Sequence, residues 1–500
     1  MKISSLKENR TTLVPKLKSY IIIYLANAVL LLPLMCFAFP HYTSDSYLLA
    51  FHYDWHVNAF LGAYRYVGAL FIRLWTSFAD PIADPFWDMV VFILFSALAI
   101  TVLSFLFFGE LQQRSKLLFA VTDLAVVISV ANFFLCNILT FPESIFPVAC
   151  GVLLCFLGVF VYFHSSLCAL LRYPLAGLLL ICCTAVYQQF LTMFIIFSIL
   201  MLVLRAVNKD QTSTKEVFFG YLRFVLFTGL CTVTYYIIGI GLQNVLQIES
   251  NPRAAFSMQS ILDGIKYYLT HQRGILNGKY QLRTNLLRRC FESLVLLWGI
   301  SGIVYLRKNR LSLKTALVFL AFPVGYASVY LVGVISEHDG VRVIMGLFSI
   351  FALFGISALA LSRSRKLACV MLALFLFVFC LDTYKNIQVF YNLTAVNTQE
   401  ISLTRLYLYE IDRYESETGN TVNTIVFGAD PNPGPFAENA FAADWGVAGI
   451  FEFVSGGRIF QAQKITEDAH TKYFRNKDWT DYVPDEQLVF EDDTLYLCIW

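Results

Sequence analysis

Charge is scarce in this 500-residue chain: 14% of its residues are charged, whereas 58% are hydrophobic. A water-soluble domain carries roughly a quarter charged residues, so much of this surface must face something other than water. The cysteines form no CxxC pair, which excludes a redox or zinc motif of that kind. Most of the twelve lie inside apolar runs (Cys136, Cys150, Cys155, Cys182, Cys183, Cys231, Cys369 and Cys380) and serve there as small apolar groups. No DxD pair exists to hold the metal of a nucleotide-sugar, and no internal repeat or low-complexity tract is present. No cleavable signal peptide is legible. The first apolar run, Tyr20 to Phe39, follows Lys2, Lys7, Arg10, Lys16 and Lys18 and is long enough to remain as an anchor. The net charge of +2 says little; the placement of the charges says more.

What is abundant is apolar runs, and a bilayer crossing needs about 20 mostly apolar residues. The pattern predicts about eleven spans, at 20–39, 87–108, 117–138, 145–163, 175–187, 190–205, 217–242, 291–306, 313–335, 343–361 and 367–383. The uncharged stretch 175–205 is too long for one helix and too short for two full ones. Orientation decides. A split at Tyr187-Gln188-Gln189 puts every short basic loop on one side: the N-terminus, Arg114/Lys116, Arg172, Arg205/Lys209/Lys215, Arg307/Lys308/Arg310/Lys314 and Arg363/Arg365/Lys366. By the positive-inside rule that side is cytoplasmic. Residues 1–19 are then a cytoplasmic N-terminus, 20–383 a membrane domain, and 40–86 and 243–290 its large outer loops. The tail, 384–500, rich in Asp, Glu, Asn and Gly, reads as a small extracytoplasmic α/β domain. It has helical pattern over 397–417, strand pattern at Thr421–Gly428 and Leu495–Trp500, and a turn-rich loop at Pro431, Pro433 and Pro435.

The first outer loop reads Pro40-His41-Tyr42-Thr43-Ser44-Asp45-Ser46-Tyr47. Asp45, just past the first span, can serve as base toward a hydroxyl of a membrane-borne substrate, or simply cap a helix. From His56 to Phe78 the pattern is helical: Phe60, Tyr64, Val67, Phe71 and Leu74 make an apolar stripe, with Asn58, Arg65 and Arg73 on another face. One amphipathic helix in the membrane interface follows, its arginines able to grip a phosphate or merely to anchor at the headgroups. Glu143 is a second carboxylate, although Thr140-x-x-Glu143 with Pro142 also fits a capping box. Polar amides at membrane depth are costly unless they face a cavity, so Tyr187-Gln188-Gln189 is predicted to line one. His52 and His56 flank Asp54, but a metal needs three or four ligands and only His41 could add a third histidine; no metal is expected. Loop 243–290 carries Arg253, Lys266, Arg273, Lys279, Arg283, Arg288 and Arg289 and suits an anionic lipid or glycan. Arg342, at the opening of the tenth apolar run, needs a phosphate or a pair with Glu337 or Asp339.

The basic N-terminus, first span, outer Ser44-Asp45 after a Pro-aromatic turn, Tyr64-Arg65-Tyr66, Tyr187-Gln188 and late outer arginine together resemble the bacterial GtrII-type glucosyltransferases, over roughly 15–380. That family belongs to the GT-C class of polytopic glycosyltransferases. The resemblance implies a GT-C-like α-helical membrane fold and transfer of a sugar, typically glucose, from a polyprenyl-phosphate donor. The acceptor would be a surface glycan such as an O-antigen, teichoic acid or wall polysaccharide, at the outer face of a bacterial cytoplasmic membrane. It further implies a small flippase and a cytoplasmic sugar-loading transferase as functional partners, and no cofactor. By resemblance Asp45 becomes the base, and Arg65 and Arg342 candidates for the donor phosphate. The family often has paired aspartates where this chain has Ser44-Asp45, and Gly-Arg where it has Tyr64-Arg65, so Asp54 stays a rival base. Two other readings are a flippase or transporter of a lipid-linked glycan and a non-enzymatic membrane subunit. Transporters usually show related halves and polar breaks at the midplane, and neither is evident here.

Overall fold

In lipid each spanning segment must satisfy its own backbone hydrogen bonds, so apolar runs of this length become helices. The computed structural model describes residues 4–111, 115–164, 168–208, 213–249, 258–276, 286–309, 312–336, 341–429, 440–475 and 483–499. Among these, ten helices are long and apolar enough to cross a membrane: Leu17–Ala38, Phe86–Glu110, Lys116–Thr140, Pro142–Phe163, Ala169–Val186, Gln189–Val207, Thr214–Leu246, Leu286–Lys308, Ile344–Ser362 and Arg365–Thr418. The remaining predicted span, 313–335, is a broken helix, Leu313–Ser328 followed by Leu331–Ser336. The split of 175–205 falls where charge placement put it: one helix ends at Val186 and the next begins at Gln189. Ile344–Ser362 is buried along its apolar length and forms the centre of the bundle.

The interfacial helix is not continuous, contrary to its unbroken apolar stripe. It consists of Tyr53–Gly62 and Tyr66–Trp75. The first ends in a Schellman turn: Arg65 N–H donates to Phe60 O at 2.8 Å and Tyr64 N–H to Leu61 O at 3.1 Å. Tyr64 sits at the left-handed position of that turn, φ +59°, where glycine is usual. Its ring packs against Gly239, where an added Cβ would meet Tyr64 Cδ1 at 2.5 Å. Tertiary contacts thus hold a conformation that the residue alone disfavours.

The last helix, Arg365–Thr418, runs 54 residues without interruption, through the 383/384 composition change and the predicted 397–417 segment, and ends at Gly419, φ +76°. It leads into a four-stranded sheet, β1 Thr424–Ala429, β2 Gln461–Lys464, β3 Leu488–Glu491 and β4 Thr494–Ile499, in the order β2-β1-β4-β3. β1 is parallel to β2 and β4, and β3 is antiparallel to β4. The two predicted strands correspond to β1 and β4; β2 is short and polar, and β3 is only four residues long, too short to read from the chain. The core of this α/β region gathers Ile411, Ile425, Val447, Ile450, Phe451 and Leu495 around Tyr407, and it also swallows Tyr47 from the loop after the first span. Loop and tail therefore share one core. Pro431, Pro433 and Pro435 lie outside the described residues.

Candidate functional site

The segment after the first span forms a short helix, Ser44–Leu49, started by a capping box. The cap is Thr43, whose side chain accepts from Ser46 N–H, while Ser46 Oγ accepts from Thr43 N–H at 3.1 Å. Asp45 is not the cap, so its carboxylate is released from that task. Oδ1 accepts from the indole Nε1 of Trp445 at 3.0 Å. Ser46 Oγ donates to the buried Glu143 Oε2 at 3.1 Å, tying the loop to the next carboxylate. The capping box read at Thr140–Glu143 does not form: Phe141 is the cap of helix Pro142–Phe163 and makes no side-chain bond, while Thr140 Oγ1 donates to Asn137 O. Glu143 instead turns inward.

Arg65 is held on three sides. Its Nε donates to Gln188 Oε1 at 3.1 Å, and its guanidinium lies 4.3 Å from the Tyr187 ring centre and 5.4 Å from that of Phe60. Gln188 is fixed in turn by donating to Ala63 O at 2.6 Å and to the Tyr235 hydroxyl at 3.1 Å. The polar break between two spanning helices and the Schellman turn of the interfacial pair therefore lock each other. His56 is buried beside them; burial first, and the Arg65 charge second, depress its pKa to about 3, so the imidazole is neutral at physiological pH.

These groups share one cavity of about 1620 Å³. Ser44, Asp45, Trp55, His56, Arg65, Glu143, Tyr187, Gln188 and Trp445 line its polar part. The remainder is apolar, walled by Ile195, Ile199, Phe224, Val225, Val233, Leu317, Leu320, Val324 and Ile335. Val225, Val233, Leu320 and Val324 are exposed, so this part opens sideways between helices Thr214–Leu246 and Leu313–Ser328, towards the lipid a spanning helix would face.

Other candidates lie elsewhere. Asp54 is exposed on the first turn of helix Tyr53–Gly62 and does not line the cavity. His52 pairs with Glu452 at 3.0 Å, and His41 is wedged between Phe39 O and Leu139 O at 2.7 and 2.9 Å. Among the described residues no group of three His, Cys, Asp or Glu side chains could hold a metal. Three more carboxylates are buried in the bundle, Asp88, Asp123 and Asp382, and none lines the cavity. Arg342 belongs to the 3-10 segment Val341–Phe348, but its side chain, with Glu337, His338 and Asp339, lies outside the described residues, as do Arg253, Lys279, Arg283 and the Arg273 side chain. Lys266, Arg288 and Arg289 do not line the cavity. Trp55, Tyr235 and Trp445 were not singled out by the sequence. A tryptophan 400 residues from its partner gives no signal along the chain.

A multi-pass helical protein with a carboxylate and a stacked arginine lining one largely apolar cavity has the build of a membrane enzyme for substrates with a polar head and a lipid tail. Residues 34–353 match the family model described as Glucosyl transferase GtrII, and the chain belongs to that family. No curated protein matches it. Membership, with the ten spanning-length helices, makes the chain a multi-pass membrane glucosyltransferase. The match takes in Asp45, Arg65, Glu143, Tyr187 and Gln188 and ends before the α/β region.

Proposed function

We propose that this protein moves glucose from a polyprenyl-phosphate donor to a cell-surface glycan at the outer face of the bacterial cytoplasmic membrane, with Asp45 as the base. One observation carries the reading: Asp45 and Arg65 line the same cavity as a long apolar wall whose Val225, Val233, Leu320 and Val324 are exposed. The prenyl chain lies along Ile195, Leu317 and Leu320, and the phosphate meets Arg65, with Arg342 as a second cationic partner. The acceptor hydroxyl gives its proton to Asp45 while its oxygen bonds to the anomeric carbon. The carbon–oxygen bond to phosphate breaks, and its electron pair departs on the phosphate. A guanidinium fixed by stacking and by Gln188 stabilises that growing charge without reorganising, so neither metal nor cofactor is required. Asp54, exposed and outside the cavity, yields the base role to Asp45.

The outer-face assignment rests on the basic short loops gathering on the opposite side from Asp45. On that topology 1–19 is cytoplasmic, 20–383 is the membrane domain and 384–500 is extracytoplasmic. A flippase and a cytoplasmic sugar-loading transferase then supply the donor. The test is mass spectrometry of surface glycan from cells carrying the wild type or Asp45→Asn. Wild type should add one hexose, and the variant, expressed at the same level, should lose transfer by about 10²–10⁴-fold, the usual worth of a general base. Full hexose addition by Asp45→Asn would sink the assignment.

A further inference from the structure

We infer that Trp445 and Trp55 form the acceptor-sugar subsite, so that the α/β tail completes the active site from outside the membrane bundle. The inference rests on Asp45 being the base. An acceptor hydroxyl within reach of that carboxylate is necessarily beside Trp445, whose Nε1 lies 3.0 Å from Asp45 Oδ1. Both tryptophans line the cavity, yet each is 47% exposed. An indole left half open at a cavity wall offers a flat apolar face with a polar edge. A pyranose has the matching form: an apolar face of C–H groups ringed by hydroxyls. Arg65, stacked on Tyr187, takes the donor side, which leaves the two indoles to the acceptor.

The placement of Trp445 is built, not incidental. Its helix, Asp444–Ser455, lies on helix Ser44–Leu49 with backbone against backbone. A Cβ at Gly449 would meet Leu48 N at 2.6 Å, and one at Gly446 would meet Ser44 Cβ at 3.0 Å. Tyr47, buried in the tail's core, holds the same two elements together, and the His52–Glu452 pair ties helix Asp444–Ser455 to the start of helix Tyr53–Gly62. The family match ends at residue 353, so Asp45, Arg65 and Trp55 come from the shared part and Trp445 from beyond it. One member of the pair, Trp445, also fixes the base through its indole N–H and is in that respect a positioning residue.

The test uses the full chain in lipid nanodiscs, tritiated undecaprenyl-phosphate glucose as donor, and surface polysaccharide from cells lacking this chain as the acceptor probe. Trp445→Ala and Trp55→Ala should each raise the acceptor KM about tenfold while the donor KM stays within about twofold. Trp445→Phe keeps a stacking ring but loses the N–H; its acceptor KM should stay within about threefold while kcat drops about tenfold. Asp45→Asn runs alongside. If it turns over normally, the base assignment fails. If it is inactive while both alanine variants keep the wild-type acceptor KM, or shift donor and acceptor KM alike, the subsite is overturned and the base assignment stands.

Discussion

Gly449→Ala probes the joint between the α/β tail and the catalytic loop with a single methyl group. The new Cβ would sit 2.6 Å from Leu48 N, 2.9 Å from Leu48 Cα and 3.1 Å from the Tyr47 carbonyl carbon. All three are backbone atoms of the facing helix, so no side chain can rotate away. Comfortable contact between such atoms begins at about 3.5 Å, so the two helices must part by about 1 Å. Trp445 is one turn earlier on the same helix face and moves with it. Its 3.0 Å bond to Asp45 would lengthen to about 4 Å, beyond hydrogen-bond range. Overpacking costs about 1–3 kcal/mol, but replacing a helical glycine by alanine returns about 1 kcal/mol, so the fold should lose only about 0–2 kcal/mol. Catalysis has no such compensation, since a misplacement of about 1 Å can cost about 10²-fold in rate. Glucosyl transfer and thermal unfolding of the purified chain, measured together, should show a small drop in melting temperature and a large drop in kcat. Wild-type turnover in Gly449→Ala would refute the idea that this backbone contact positions the base.

Two further outcomes follow from the polar end of the cavity. Arg65→Lys keeps the charge but loses the stack on Tyr187 and the Nε bond to Gln188; the donor KM should rise about tenfold with the acceptor KM unchanged, and an unaltered donor KM would remove Arg65 from the phosphate site. The folded protein holds the His56 pKa near 3, below its ordinary 6.5, so the unfolded chain takes up the proton first as pH falls. Stability should therefore decline from about pH 6.5 downward, by up to about 1.4 kcal/mol per pH unit from this group. His56→Gln should flatten that decline in thermal unfolding between pH 7 and pH 5, and an unchanged slope would mean His56 does not contribute it.

Much was determined along the chain alone. A span is a local property, about 20 apolar residues in a row, so the helices could be counted from the runs, and the basic loops placed the break at Tyr187-Gln188-Gln189. Asp45 and Arg65 were conspicuous for the same reason, as charges next to apolar segments. What periodicity could not show was the turn at Ala63-Tyr64-Arg65. A glycine would have announced it; here a tyrosine takes the left-handed conformation because Gly239 and Gln188, far away in sequence, hold it there. Nor could the composition change at 383/384 reveal that one helix passes straight through it. In the sequence Asp45 led as the base by resemblance with Asp54 a standing rival, and Trp445 carried no mark at all. Only the packing of helix Asp444–Ser455 onto Ser44–Leu49 brings that indole to one carboxylate and leaves the other outside the cavity. Runs and charges act on their neighbours in the chain, whereas a site depends on which helix ends meet, and that is settled by side-chain and backbone contacts between residues hundreds of positions apart.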